Sequence, residues 1–158
     1  MMKLFVSQYE WVQKTRDVLF QYCESLPQED YVKEVESFGG DSIRNLHVHV
    51  AECYQVWLGK RALKKELSLV NPIDITTVQQ MRELFKQTDD IVNEFLHTYE
   101  GQWEQKVGVT YRNGESNEFT ALWLFTHTLT HEFHHKGQIV KIGRQLGYIP
   151  PDTDLIEE

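Results

Sequence analysis

The stretch His127-Thr-Leu-Thr-His131-Glu-Phe-His134-His135-Lys-Gly-Gln138 decides the interpretation of this sequence, because it joins a helical period to a histidine cluster. His131 and His135 are four residues apart, so on a helix their rings lie on one face, about 6 Å apart. Both could therefore bind one metal ion. His127 lies about 12 Å along the axis from His135, at about 1.5 Å rise per residue. A third ligand should come from elsewhere.

The stretch lies in a predicted helix over 118–146, which Gly147 closes. At about 100° per residue, its apolar positions fall into two stripes nearly opposite each other. One stripe holds Leu124, His131, His135 and Ile142. The other holds Leu122, Leu129, Phe133 and Val140. We expect the histidine side to face a bundle interior and the other to face the remaining core or a second subunit, which predicts a homodimer.

Three further helices precede this one. Apolar residues at three- and four-residue steps predict a first helix that ends at Leu26-Pro27. Ser42 can cap a second helix that runs to about Leu63. Thr76 or Thr77 can open a third helix that ends near residue 101.

A hairpin is predicted between the third and fourth helices. Residues 106–111 alternate in polarity, and Asn113-Gly114 suits a two-residue turn. The sequence therefore predicts an all-α fold, a four-helix bundle with one long connection and a small β-hairpin before the last helix. We expect a single domain that spans residues 1–158.

The second helix carries two more histidines, His47 and His49, so six of the seven in the chain lie in two short segments. Two residues apart on a helix, they point about 200° from each other, and only one can face inward. His49 shares its face with Leu46, Cys53 and Val56, whereas His47 shares its face with Arg44 and Gln55. We therefore predict that His49 is the third ligand and that His47 lies near a solvated edge.

Composition narrows the classes of partner. The 158-residue chain has a formal net charge of −8 and no basic run, which disfavours binding to nucleic acid or to an anionic membrane. No apolar run approaches the length of a membrane span, and the N-terminus has no export-signal pattern. We expect a cytoplasmic protein in which Cys23 and Cys53 are reduced thiols.

Two motifs together resemble the DinB-like (DinB/YfiT) family of metal-binding four-helix bundles. They are Ser42-Ile-Arg-Asn-Leu-His-Val-His49-Val-Ala-Glu-Cys-Tyr-Gln-Val-Trp57-Leu and the histidine stretch quoted above, followed by Gly147. The resemblance runs from about Gly40 to Gly147. It implies a metal held by His49, His131 and His135, in agreement with the helical phase. Lys136, where the family more often has arginine, and His47, where it commonly has an aliphatic residue, depart from the pattern.

The resemblance also implies a function. Three neutral imidazoles leave positions open on the ion, as in catalytic metal sites. Three imidazoles suit one divalent transition metal, such as zinc, nickel or iron. Characterised relatives include thiol S-transferases, so the resemblance implies a metal-bound thiolate. It also implies a low-molecular-weight thiol of the bacillithiol type as cosubstrate. The bound thiol would ionise at neutral pH and attack an electrophile.

Two other functions stay open from the sequence. A metal-dependent hydrolase would use bound water with a general base beside the ion. Glu132 should point away from the ion, while Glu52 is better placed, as a base or as a polar partner of an imidazole ring. The second alternative is a non-catalytic protein that binds a metal or a ligand.

Five more side chains are candidates for the pocket, each with a structural alternative. Cys53 could approach the ion or be an inert buried thiol, and Trp57 could wall the pocket or pack. His127 could line the pocket mouth or be a surface residue. Gln138 could orient a water, a ring nitrogen or a thiol carboxylate, or simply pack. Arg16 could contact an anionic ligand or form a structural ion pair.

Overall fold

The computed structural model describes residues 2–155, without the side chain of Met2, and it is mostly helical. The helices are α1 (Met2–Glu24), α2 (Gln28–Tyr31), α3 (Ile43–Tyr54), α4 (Val78–Thr98) and α5 (Ala121–Gln145). Strands β1 (Lys106–Thr110) and β2 (Ser116–Thr120) form one antiparallel sheet. The predicted helical bundle with a small hairpin before its last helix is thereby confirmed. In the described part of the chain, no helix has the length and apolarity that crossing a membrane requires.

Side-chain caps set where the long helices begin. Ser42 Oγ accepts a hydrogen bond from the Asn45 amide, and Thr77 forms a capping box with Gln80. Each such cap stabilises a helix by about 1 kcal/mol. Both starts agree with the sequence prediction. The last helix begins at Ala121 rather than near Glu118, because Glu118 belongs to β2 and Thr120 provides the cap.

The predicted second helix changes its hydrogen bonding midway. After Tyr54 the chain continues as a π-helical segment, Gln55–Ala62, and just beyond it the Leu63 amide donates to the Leu58 carbonyl, five residues back. Such segments are rare and frequently occur at functional sites. Nothing in the sequence pattern distinguishes this segment from an ordinary helix.

The centre of the bundle is α3, which packs against both α4 and α5, while α1 also packs against these two helices. Because α3 has neighbours on both sides, the prediction of a solvated edge at His47 is wrong. His47 is only 2% exposed, contacts the Phe20 ring and forms a hydrogen bond with the Tyr31 hydroxyl. Gln55, expected on the same edge, is also buried and donates to Thr88.

The hairpin closes by a different turn from the predicted one. Gly114 has φ +84° and donates to the Tyr111 carbonyl, while Tyr111 donates to the Glu115 carbonyl. The loop is therefore the three residues 112–114, with Gly114 in the left-handed region, which favours glycine. The two-residue turn was wrong because the glycine ends the turn instead of sharing its centre with Asn113.

The rotation of α5 also differs from the wheel prediction. The side of α5 that faces the core lies between the two predicted stripes and is centred on Phe125, Thr128, Glu132, Lys136 and Ile139, with Leu124 of the first stripe at its border. His131 and His135 lie on one flank, partly exposed, and Phe133 and Val140 are only partly buried on the other. The prediction differed because the two stripes were chosen from apolar and histidine positions, which left out Glu132 and Lys136.

Candidate metal centre

Three histidine rings converge where α3 meets α5. His49 comes from α3, and His131 and His135 come from successive turns of α5. The Nε2 atom of His131 lies 3.2 Å from Nε2 of His49 and 3.2 Å from Nε2 of His135. All three ligand atoms lie within 4.8 Å of one another. This group could hold a metal ion, and we call it the histidine triad.

Two of the distances within the triad, both 3.2 Å, fit a shared ion. Ring nitrogens about 2.0–2.1 Å from a tetrahedral metal are about 3.3 Å from each other. Hydrogen bonds alone fit less well, because Nε2 of His131 can carry only one proton while two ring nitrogens lie 3.2 Å away. One cation between the three nitrogens would satisfy all three lone pairs.

The surroundings favour the neutral, ligating form of the rings. Burial, together with the neighbouring histidines, lowers the pKa of His131 to about 4. Burial also lowers the pKa of His135. Nδ1 of His135 donates to Gln138 Oε1 at 2.6 Å, which leaves the lone pair on Nε2, toward the triad. No described residue makes a hydrogen bond with the buried Nδ1 of His131, and this ring contacts the other two histidines of the triad and His127.

The triad lies at the edge of the bundle, not in its interior. His49 is exposed, and His131 and His135 are partly exposed. The expectation that His49 faces inward with Leu46 and Cys53 is therefore wrong, since those two are buried. The physical reason is that α3 packs against both α4 and α5, and His49 lies on the exposed side of α3, directed at α5. A small molecule could reach the triad directly from solvent.

Directly behind the triad lies a group of buried charges, which sequence reasoning missed. Arg16 donates two hydrogen bonds to Glu132, both 2.8 Å long, and a third to Asp89, also 2.8 Å long. Lys136 lies 3.3 Å from the Glu132 carboxylate, which also accepts a 2.6 Å hydrogen bond from Tyr54. Arg16, Glu132 and Lys136 are at most 3% exposed. We call Arg16, Asp89, Glu132 and Lys136 the interior charge cluster.

The charges of this cluster balance. Burial alone would raise the pKa of Glu132, but Arg16 and Lys136 outweigh it and hold the pKa at about 2. Burial lowers the pKa of Lys136, and Glu132 opposes that shift. Two cations and two anions satisfy one another, so Arg16 takes the structural ion pair, one of its two predicted roles. The sequence signal was available in Glu132 and Lys136, four apart on the core side of α5.

Two predicted neighbours of the ion lie outside the triad. Among the described residues, neither Glu52 nor Cys53 belongs to the metal-capable group. Burial raises the pKa of the Cys53 thiol to about 12, which fits an inert thiol. Glu52 is partly exposed.

An aromatic wall extends from the triad toward the hairpin. The rings of Phe119, Trp123 and His127 stack in sequence, with 4.1 Å and 5.0 Å between successive centroids. His127 lies 5.9 Å from the His131 ring, and Trp57 packs across the stack, 4.8 Å from His127. Trp57 and His127 are thus brought beside the triad, as their predicted pocket roles require.

Comparison with known proteins identifies relatives along the whole chain. The uncharacterized protein YizA of Bacillus subtilis (strain 168) is 28% identical over 159 residues, covering 99% of this chain and 94% of the relative. Protein DinB of the same organism is 26% identical over 153 residues, covering 92% and 88%. The profile of the DinB family matches residues 1–158. The chain therefore belongs to the DinB family.

Proposed function

We propose that this protein is a metal-dependent thiol S-transferase whose divalent metal is held by His49, His131 and His135. The observation that carries the proposal is the convergence of three ring nitrogens, 3.2 Å apart in two pairs, at a solvent-reachable edge. Three imidazoles leave room on a tetrahedral ion for an exchangeable ligand. When bound, the ion would lower the pKa of a coordinated thiol such as bacillithiol.

The chain's own residues would position the reactants. The Gln138 amide fixes the His135 ring, and the α5 backbone, anchored through Glu132 and Lys136, fixes the spacing of both α5 histidines. Trp57 and His127 of the aromatic wall would exclude water from one side of the triad. Orientation and desolvation of a nucleophile and an electrophile can account for a large rate increase.

The test is a transfer assay on protein reconstituted with zinc, nickel or iron. Bacillithiol, or glutathione in its place, is offered with an electrophile such as 1-chloro-2,4-dinitrobenzene, and loss of free thiol is followed. We expect metal-dependent thiol loss that His131→Ala abolishes and that His97→Ala, altering an exposed histidine on α4, retains. Thiol loss at the uncatalysed rate in every metal form, with a panel of electrophiles, would contradict the proposal.

A homodimer is a further part of the proposal. Leu4 and Trp11 on α1 are 64% and 51% exposed, and Phe133 and Val140 on α5 are only partly buried. Association would remove such apolar surface from water. Sedimentation velocity at micromolar concentration tests this, and a strict monomer would rule the dimer out.

A further inference from the structure

Arg61 is a cation without an anionic partner in the described part of the chain. Its guanidinium carbon lies 3.9 Å from the centroid of the Trp57 ring and 5.3 Å from that of Tyr111. Its Nη1 atom is buried, and no group in residues 2–155 accepts a hydrogen bond from it. A buried polar atom that stays unsatisfied is uncommon in native proteins and calls for an explanation.

The electrostatic surroundings of Arg61 agree with this lack of a partner. Burial lowers its pKa, and among the described residues the groups that oppose the shift are Tyr111 and Cys53, neither of them a carboxylate. Two other described arginines, by contrast, form ion pairs. Arg16 is paired with Glu132 and Asp89, and Arg82 is paired with Asp17 and Glu24.

Arg61 is also connected to the histidine triad through the aromatic wall. The Arg61 guanidinium stacks on the Trp57 ring, and that ring contacts His127. His127 in turn contacts the His131 ring. The positive charge of Arg61 adds to burial in lowering the pKa of His127. Arg61 and the triad therefore lie at two ends of the aromatic wall, in which Trp123 is still 41% exposed.

We propose that Arg61 binds the carboxylate of a small molecule whose apolar body lies along Trp57 and whose other end reaches the histidine triad. A planar guanidinium can donate two parallel hydrogen bonds to a carboxylate, and it does so while stacked on an aromatic ring. A small shift of the partly exposed side chain would present Nη1 to the ligand. The inference rests on the proposed function for the second end of the ligand, whereas the carboxylate site itself needs no metal.

The experiment is a binding titration on metal-free protein, so that no carboxylate can bind a metal instead. The probe is 3-phenylpropionate, and its uncharged counterpart is 3-phenylpropionamide. Binding is followed by the NMR signal of the Trp57 indole N–H, assigned with Trp57→Phe. We expect saturable shifts of this signal and about tenfold or more tighter binding of the carboxylate than of the amide.

Two substitutions locate the effect. Arg61→Gln should lower carboxylate binding to the level of the amide, and Arg61→Lys should keep part of the preference because the charge remains. Lys60→Gln removes the same charge from the neighbouring exposed residue and should leave the preference unchanged. Equal binding of the two probes, no saturable binding of the carboxylate, or full preference in Arg61→Gln would overturn the proposal.

The outcome is separable from that of the transfer assay. Carboxylate binding without thiol loss would support the Arg61 site and contradict the transferase, and thiol loss without a carboxylate preference would do the reverse. In zinc-loaded protein, the binding of 3-mercaptopropionate is compared with the binding of its amide. Tighter binding of the carboxylate in this pair assigns the carboxylate to the thiol cosubstrate. A preference confined to the phenylpropionate pair assigns it to the electrophile.

Discussion

Two adjacent sides of α5 each carry a pair of side chains four residues apart, but one pair is partly exposed and the other is buried. His131 and His135 form one pair, four residues apart, and Glu132 and Lys136 form the other, one residue further along. The first pair is partly exposed and leaves its ring nitrogens directed at one another. The second pair is buried and fully engaged with Arg16, Tyr54 and Thr15. The interior pair thus attaches α5 to the core, whereas the flanking pair could hold a metal ion.

The same contrast occurs on α3, between His47 and His49. His47 is buried against Phe20 and accepts or donates one hydrogen bond with Tyr31. His49 is exposed and directed at His131. Residue type and local spacing do not separate these histidines. Their positions relative to neighbouring helices do.

The largest expected effect comes from breaking the interior charge cluster. Glu132→Ala leaves Arg16 and Lys136 buried without their shared carboxylate, which should cost about 3–5 kcal/mol of unfolding free energy. Urea denaturation of the metal-free protein measures it. Glu94→Ala, which removes the partner of Lys65 at the surface, should cost no more than about 1 kcal/mol. Equal costs in the two variants would contradict the distinction between interior and surface charges.

The histidine triad should stabilise the fold only when metal is bound. Zinc at about 100 times its dissociation constant should raise the unfolding free energy by about 2.7 kcal/mol, because the unfolded chain lacks the site. A chelator should reverse the effect. His131→Ala should lose the response to zinc, and the thermal midpoints of parent and variant with and without zinc measure this. An undiminished response in the variant would place the metal elsewhere.

The next effect concerns the amide that orients His135. Gln138→Leu removes the acceptor for Nδ1, so metal affinity should fall about 10–100-fold. Competition with a chromophoric chelator measures the dissociation constant. Gln145→Leu makes the same change near the end of α5, where the side chain accepts a hydrogen bond from Ser37, and should leave the affinity as it is. An unchanged affinity in Gln138→Leu would show that packing alone orients the ring.

The last effect is a pH dependence of stability that follows from the burial of His47. Burial lowers the pKa of His47 from 6.5 to about 3. Between these values the unfolded chain binds a proton that the folded chain excludes, so acidification costs stability, by up to about 1.4 kcal/mol per pH unit. In the metal-free protein, His47→Gln should flatten the fall of stability below pH 6.5, and His97→Gln should not. Parallel pH profiles for parent and His47→Gln would show that His47 titrates normally.

The sequence was sufficient for the helices and for the candidate triad. Helical periodicity and the capping residues Ser42 and Thr77 predicted the long helices, because both signals are local. The spacing of His131 and His135 and the phase of His49 brought the same three residues together as the fold does. The ligand role of these residues remains a proposal.

Tertiary packing accounts for what the sequence did not predict. The wheel could not show that α3 is covered on both sides, which buries His47 and Gln55. Nor could it show that Glu132 faces Arg16, 116 residues earlier in the chain. The π-helical segment, which contains Trp57 and Arg61, has no local signature in the sequence.

Elemental analysis measures whether His49, His131 and His135 together bind one metal ion. The protein is reconstituted, freed of loosely bound metal and compared with His49→Ala, His131→Ala and the exposed control His97→Ala. We expect close to one transition-metal ion per chain in the parent and the control, and almost none in the two triad variants. A parent that binds no metal, or triad variants that keep it, would show that the histidine triad is not the metal site.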